Sequence, residues 1–128
     1  TNHGQGPLHV SARYAKAGAA YHLGKYDEAA ALYQELLAEE RAEDLHVFAR
    51  FGLAMAQAGQ GDVAAATEAL DELAGMNEEY VGLALYHKGR VYESAGKVEE
   101  AKQAYHKLLE EQPKTTYKSD VERRLALL

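Results

Sequence analysis

The chain has 128 residues, 47% of them hydrophobic and 27% charged, a composition typical of a folded domain rather than a disordered segment. Its net charge of −6 argues against a nucleic-acid partner, because binding to a phosphate backbone needs clustered Lys and Arg. Cysteine is absent, which excludes disulfides, thiolate metal sites and a cysteine nucleophile, and which fits the cytoplasm and the bacterial periplasm alike.

Seven helices and no strand are predicted from the apolar periodicity and from residues that end helices. They cover about 9–23, 27–41, 44–58, 62–74, 77–94, 98–111 and 116–128. Gly24 is predicted to end the first in a left-handed conformation, Gly75 to end the fourth, and Asn77 to cap the fifth. Residues 1–8 are predicted to be a flexible segment or a remnant outside the fold. No run of about 18 apolar residues exists, so no segment is predicted to span a membrane. The start at Thr1 leaves open whether an anchor precedes it.

One sequence motif recurs along the chain. "GKYDEAAALYQELLAEE" begins at Gly24, and "GKVEEAKQAYHKLLEEQP" begins 72 residues later at Gly96. A more divergent copy, "GQGDVAAATEALDEL", lies between them at 59–73. The matching alanines, Ala29, Ala66 and Ala101, are 37 and 35 residues apart. Repetition at this period predicts stacked helix pairs, each of which buries its apolar face against its neighbours.

The third copy resembles a tetratricopeptide repeat, a family whose signature is a series of small, aromatic and proline residues at fixed spacing. The series here consists of Leu85, Lys88, Gly89, Tyr92, Ala101, Tyr105 and Pro113. The resemblance implies an all-α fold, a right-handed superhelix (solenoid) of three helix pairs at about 9–43, 44–78 and 79–114. A C-terminal capping helix would follow at 115–128. The 37-residue spacing adds residues around 39–47, which predicts a longer second helix or a longer turn there.

Two features that suggest chemistry have simpler explanations. The segment "GQGDVA" fits a glycine fingerprint for dinucleotides, but no strand precedes it, so a turn between helices is the better interpretation. Thr1-Asn2-His3 has the spacing of an amino-terminal copper(II) or nickel(II) site, but the favoured interpretation is that this segment is a remnant of processing. No His pair has helical metal-site spacing. The chain is therefore predicted not to be an enzyme, with no catalytic residue, cofactor or metal.

The resemblance implies a binding surface instead, since the first helix of each pair lines a concave groove in this family. The groove residues would be Tyr14, Tyr21, His22, Phe48, Phe51, Met55, Tyr86, Arg90 and Glu93. The alternative is that an aromatic stripe at helical spacing packs in the core. About half of these residues are expected in the groove and half partly in the core. Family members that bind a C-terminal carboxylate use Lys, Asn and Arg. The matching positions here hold Tyr14, Gly18, Gly52, Gly82 and His87, which favours an apolar or amphipathic ligand segment.

The predicted function is a protein–protein interaction scaffold that binds a peptide or helix of a partner in this groove. The alternative is a module that forms homo-oligomers through its terminal helices, since Leu125, Leu127 and Leu128 offer apolar surface. The ending "EEQPKTTYKSDVERRLALL" resembles that of bacterial envelope proteins with these repeats. A periplasmic or envelope-associated location is therefore expected, with the cytoplasm as the alternative.

Overall fold

The structure is a computed structural model that describes residues 7–128, and within them it contains α-helices and short 3-10 turns but no strand. The helices are α1 (Pro7–His22), α2 (Tyr26–Ala38), α3 (His46–Gly59), α4 (Val63–Met76), α5 (Val81–Ser94), α6 (Val98–Glu111) and α7 (Lys118–Leu127). Two 3-10 turns, Glu40–Leu45 and Glu78–Tyr80, precede α3 and α5. The predicted all-α class of helices packed in consecutive pairs is confirmed.

The chain divides within α4 into two compact units, an N-terminal unit that ends at Ala69 and a C-terminal unit that begins at Leu70. Helices α1, α2 and α3 pack together in the first, around a core of small and aromatic residues. That core includes Val10, Ala17, Ala20, Ala29, Tyr33, Leu36, Ala49 and Leu53. Helices α5, α6 and α7 pack in the second, around Leu85, Tyr86, Ala101, Tyr105, Leu108 and Val121. The boundaries of the three sequence repeats stay a prediction.

The turn inside each helix pair has one geometry. After α1, Gly24 adopts a φ of 76°, and the Lys25 N–H donates to the Ala20 carbonyl at 2.9 Å. This closure satisfies a carbonyl at the helix end and needs the left-handed conformation that glycine adopts without strain. The same closure recurs at Gly61, with Asp62 N–H to Gln57 O at 2.9 Å, and at Gly96, with Lys97 N–H to Tyr92 O at 2.8 Å. The predicted left-handed conformation of Gly24 at the end of the first helix is confirmed. The recurring sequence motif begins with the turn that joins the two helices of a pair.

The structure corrects the prediction between α2 and α3. Helix α2 ends at Ala38, not near Arg41, and the extra residues form the 3-10 turn Glu40–Leu45. His46 fixes this arrangement, because its Nε2 lies 3.1 Å from the carbonyl oxygens of both Leu36 and Glu39 at the end of α2. The added residues therefore form a longer turn, not a longer helix.

Other helix boundaries also differ from the prediction. Helix α4 continues past Gly75 to Met76. Asn77 caps the 3-10 turn by accepting the Glu79 N–H at 2.9 Å, and α5 begins only at Val81. The chain around Gly75 needs no left-handed residue, so the helix does not stop there. Helix α7 begins at Lys118, two residues later than predicted. Helix α1 begins at Pro7, so residues 7 and 8 belong to the fold, whereas positions 1–6 of the predicted flexible segment lie outside the described residues.

Candidate partner-binding surface

The predicted groove residues of the first two repeats lie on α1 and α3 in the N-terminal unit. We call these six residues the aromatic face: Tyr14, Tyr21 and His22 on α1, and Phe48, Phe51 and Met55 on α3. Phe48 is 56% exposed, and its ring meets the Tyr14 ring edge-on with the centroids 6.4 Å apart. Phe51 and Met55 are partly buried and lie on the same side of α3 as Phe48, at spacings of three and seven residues. An exposed aromatic surface therefore joins α1 to α3.

Tyr33 on α2 lies beneath the aromatic face. Its ring centroid is 6.1 Å from that of Tyr14, and its ring rests directly on Gly52 of α3. A Cβ atom at Gly52 would lie 2.4 Å from the Tyr33 Cζ atom, so only glycine admits this approach. Tyr21 is partly buried and packs against Tyr26, with the ring centroids 5.5 Å apart. Tyr14 and Tyr21 therefore both contact the core and reach the surface.

The aromatic face holds no permanently charged side chain. Its six residues include no carboxylate, ammonium or guanidinium group. Arg13 of α1 pairs instead with α2, where its guanidinium lies 3.5 Å from a carboxylate oxygen of Glu35 and 3.4 Å from one of Glu39. The face is thus aromatic and free of Lys, Arg, Asp and Glu, which suits an apolar ligand surface.

The predicted groove residues of the third repeat lie beneath α7 in the C-terminal unit. Tyr86 is only 9% exposed, and its ring stacks on that of Tyr117 with the centroids 4.2 Å apart and the planes 8° from parallel. The Tyr86 hydroxyl donates to the Asp120 carboxylate. The prediction that Tyr86 is open for a partner is corrected, because α7 covers it.

Arg90 and Glu93 also contribute to this contact between α5 and α7. Glu93 accepts from the Tyr105 hydroxyl at 2.7 Å and from the Arg124 guanidinium at 3.3 Å. Arg124 Nε donates to Asp120 at 2.8 Å, and Arg90 donates to the Tyr86 hydroxyl at 3.4 Å. Hydrogen bonds from Tyr86 and Arg124 hold the pKa of the Asp120 carboxyl well below its usual range. These side chains attach α7 and leave the aromatic face as the more accessible candidate surface.

Sequence reasoning missed Asp120, the residue that links α7 to Tyr86. The available signal was its position four residues before Arg124, a spacing at which opposite charges meet on a helix. Asp120→Asn is expected to lower the free energy of unfolding by about 1 kcal/mol, because the amide loses the charge-assisted bond to Arg124 at a partly exposed site. Urea unfolding measures the change, with the exposed Glu122→Gln as a control expected to have little effect. Equal loss in both variants would contradict this role for Asp120.

No group of three or more His, Asp or Glu side chains among residues 7–128 is placed to hold a metal ion. The predicted amino-terminal metal motif at His3 lies outside the described residues. Within the same range, no helix combines the length and apolar character needed to cross a bilayer.

Comparison with known proteins bears on the fold. A family model described as a tetratricopeptide repeat-like domain matches residues 1–128. No curated protein matches the chain. The family match spans the whole sequence and agrees with the helix pairs, with the three equivalent turns and with the motif series of the third copy. The chain therefore belongs to the tetratricopeptide repeat-like family.

Proposed function

We propose that this chain is a scaffold that binds an apolar or amphipathic segment of a partner protein, as a peptide or a helix, on the aromatic face. Tetratricopeptide repeat-like domains are in general non-enzymatic scaffolds for protein–protein interaction. The observation that carries the finer proposal is Phe48, an aromatic side chain that is 56% exposed beside Tyr14 on a surface without Lys, Arg, Asp or Glu. Aromatic residues dominate the binding energy of protein interfaces, since each buries a large apolar area at low entropic cost.

The matched pair Phe48→Ser and Leu23→Ser tests this proposal. Peptides are first selected on the unmodified chain from a random display library, and their dissociation constants are then measured on both variants. Phe48 and Leu23 are 56% and 71% exposed, so neither change should disturb the core. We expect Phe48→Ser to weaken binding at least ~10-fold, the scale of a lost interface anchor. Leu23 is outside the aromatic face, so Leu23→Ser should bind normally. Selected peptides that bind Phe48→Ser as tightly as the parent would refute the proposed site.

Self-assembly through the terminal helices is a second candidate, favoured by Leu127, which is 78% exposed on α7. A molecular mass that stays that of the monomer across a wide dilution series would exclude self-assembly. A periplasmic or envelope-associated location is likewise proposed, and it rests on the resemblance of residues 110–128 to the ends of bacterial envelope proteins. Cell fractionation that recovers the protein in the cytoplasm would overturn that location.

A further inference from the structure

Tyr33 and Tyr105 occupy the same position in two copies of the repeat, yet their hydroxyl groups differ in hydrogen bonding. They are 72 residues apart, as are Ala29 and Ala101. The Tyr105 hydroxyl donates to Glu93 at 2.7 Å. The residue that corresponds to Glu93 in the first copy is Tyr21, which offers no carboxylate. The first copy therefore lacks the internal acceptor that the third copy provides.

The Tyr33 hydroxyl has no hydrogen bond to any described residue. Burial, together with the nearby Tyr14 and Tyr21, raises the pKa of the Tyr33 hydroxyl. No hydrogen bond contributes to this shift. The residue is only 5% exposed, and its hydroxyl lies beside Gly18 of α1. It stays protonated at neutral pH and is, among residues 7–128, a donor without an acceptor.

The space beside this hydroxyl is open. Apart from the backbone of α1 itself, the only described atom within 4 Å of a Cβ placed at Gly18 would be the Tyr33 oxygen, 3.8 Å away. The position that corresponds to Gly18 in the third copy is Arg90, 72 residues later. Two exchanges thus distinguish the first copy from the third: Gly18 replaces Arg90 and leaves room, and Tyr21 replaces Glu93 and removes the acceptor.

We propose that the Tyr33 hydroxyl donates a hydrogen bond to an amide carbonyl of the partner segment, which enters the space beside Gly18. This inference rests on the proposed function and adds that the segment combines apolar side chains with one carbonyl oxygen near their centre. A neutral acceptor fits better than a carboxylate, because the aromatic face holds no Lys or Arg and Arg13 is already paired with Glu35 and Glu39. A buried donor that is left unpaired weakens binding, so the partner that supplies this oxygen is favoured over one that does not.

The test compares Tyr33→Phe with Tyr105→Phe on the display-selected peptides. Each change removes one oxygen and keeps a buried ring, so both variants should retain the fold, which circular dichroism and urea unfolding check. We expect Tyr33→Phe to weaken peptide binding about 5- to 10-fold, the effect of one neutral hydrogen bond. Tyr105→Phe should leave it unchanged, since its hydroxyl bonds internally to Glu93. Gly18→Leu, which fills the open space, should weaken binding further.

The outcomes separate the two proposals. If Phe48→Ser abolishes binding and Tyr33→Phe does not weaken it, the hydrogen bond is refuted and the aromatic face is retained. If no peptide is enriched, or if Phe48→Ser has no effect, both are overturned. A parent chain that dimerises through Phe48 would also overturn the inference, since a second copy would be the occupant. Replacing Asn and Gln of the peptide by Met identifies the source of the oxygen. Loss of the Tyr33→Phe effect then indicates a side-chain amide, and persistence indicates a backbone carbonyl, both consistent with the proposal.

Discussion

Gly89→Ala is expected to lower the free energy of unfolding by about 2 kcal/mol, although alanine is the better helix former. A Cβ atom at Gly89 would lie 2.2 Å from the Cε1 atom of Tyr105, well inside van der Waals contact. The Tyr105 ring is fully buried, and its hydroxyl is held by Glu93, so the ring cannot move aside freely. A contact this short puts the cost of overpacking at the upper end of its usual range, about 3 kcal/mol, so about 2 kcal/mol of loss remains after the roughly 1 kcal/mol gained in helix propensity.

Two further variants decide whether the contact is the cause. Gly75→Ala in α4 meets no atom within 4 Å and should raise stability by up to about 1 kcal/mol. Adding Tyr105→Leu to Gly89→Ala should restore part of the loss, because the second copy carries Ala54 and Leu70 at the corresponding positions. Urea unfolding of all three variants gives the comparison. A Gly89→Ala protein that is as stable as Gly75→Ala would show that Tyr105 has room to adjust.

The contact between Gly89 and Tyr105 could be predicted from the sequence because it is local. The two residues belong to one helix pair, and the motif fixes their spacing, so the small residue and the ring meet whenever the pair forms. The glycine turns are predictable for the same reason. Gly24 has a φ of 76° because the chain reverses within a few residues there, which depends little on the rest of the fold.

Contacts that the repeat motif does not specify could not be predicted in this way. The added residues before α3 were recognised from the repeat spacing, but their 3-10 conformation depends on the His46 ring reaching the end of α2. Tyr86 has the spacing of a groove residue, and only the position of α7, more than thirty residues later, shows that it is covered. In both cases a side chain from another element decides between alternatives that the local pattern leaves equal.

The candidate site shows the same division. Helical periodicity placed Phe48 with Phe51 and Met55 on one face of α3, and the resemblance to tetratricopeptide repeats placed that face beside Tyr14. The structure brings the Phe48 and Tyr14 ring centroids within 6.4 Å. The open hydroxyl of Tyr33 could not be foreseen, because the sequence shows tyrosine at both 33 and 105. The difference is produced by a third residue on another helix, Glu93 in one copy and Tyr21 in the other.

Acidification from pH 6.5 to pH 4.5 is expected to lower the free energy of unfolding by about 2 kcal/mol through His87 alone. Burial, aided by the charge of Arg90, lowers the pKa of His87 from its usual 6.5 to about 4. Above pH 6.5 the imidazole is neutral in both the folded and the unfolded chain, so it contributes no pH dependence. Between 6.5 and 4 the unfolded chain binds a proton that the folded protein does not. Stability therefore falls with pH across this window and levels off below it. The full shift corresponds to about 3 kcal/mol, which solvent at the partly exposed ring reduces.

Urea unfolding between pH 7.5 and pH 4.5 measures this slope in the parent, in His87→Gln and in His106→Gln. Asp120 and the other carboxyls titrate mainly below this range in the unfolded chain, so they contribute little between pH 6.5 and pH 5. We expect His87→Gln to flatten the profile there, because glutamine binds no proton. His106 is exposed on α6, so His106→Gln should keep the slope of the parent. If His87→Gln keeps that slope as well, another group must take up the proton. If the slope disappears, His87 is the residue whose partly buried, neutral ring makes the C-terminal unit sensitive to acid.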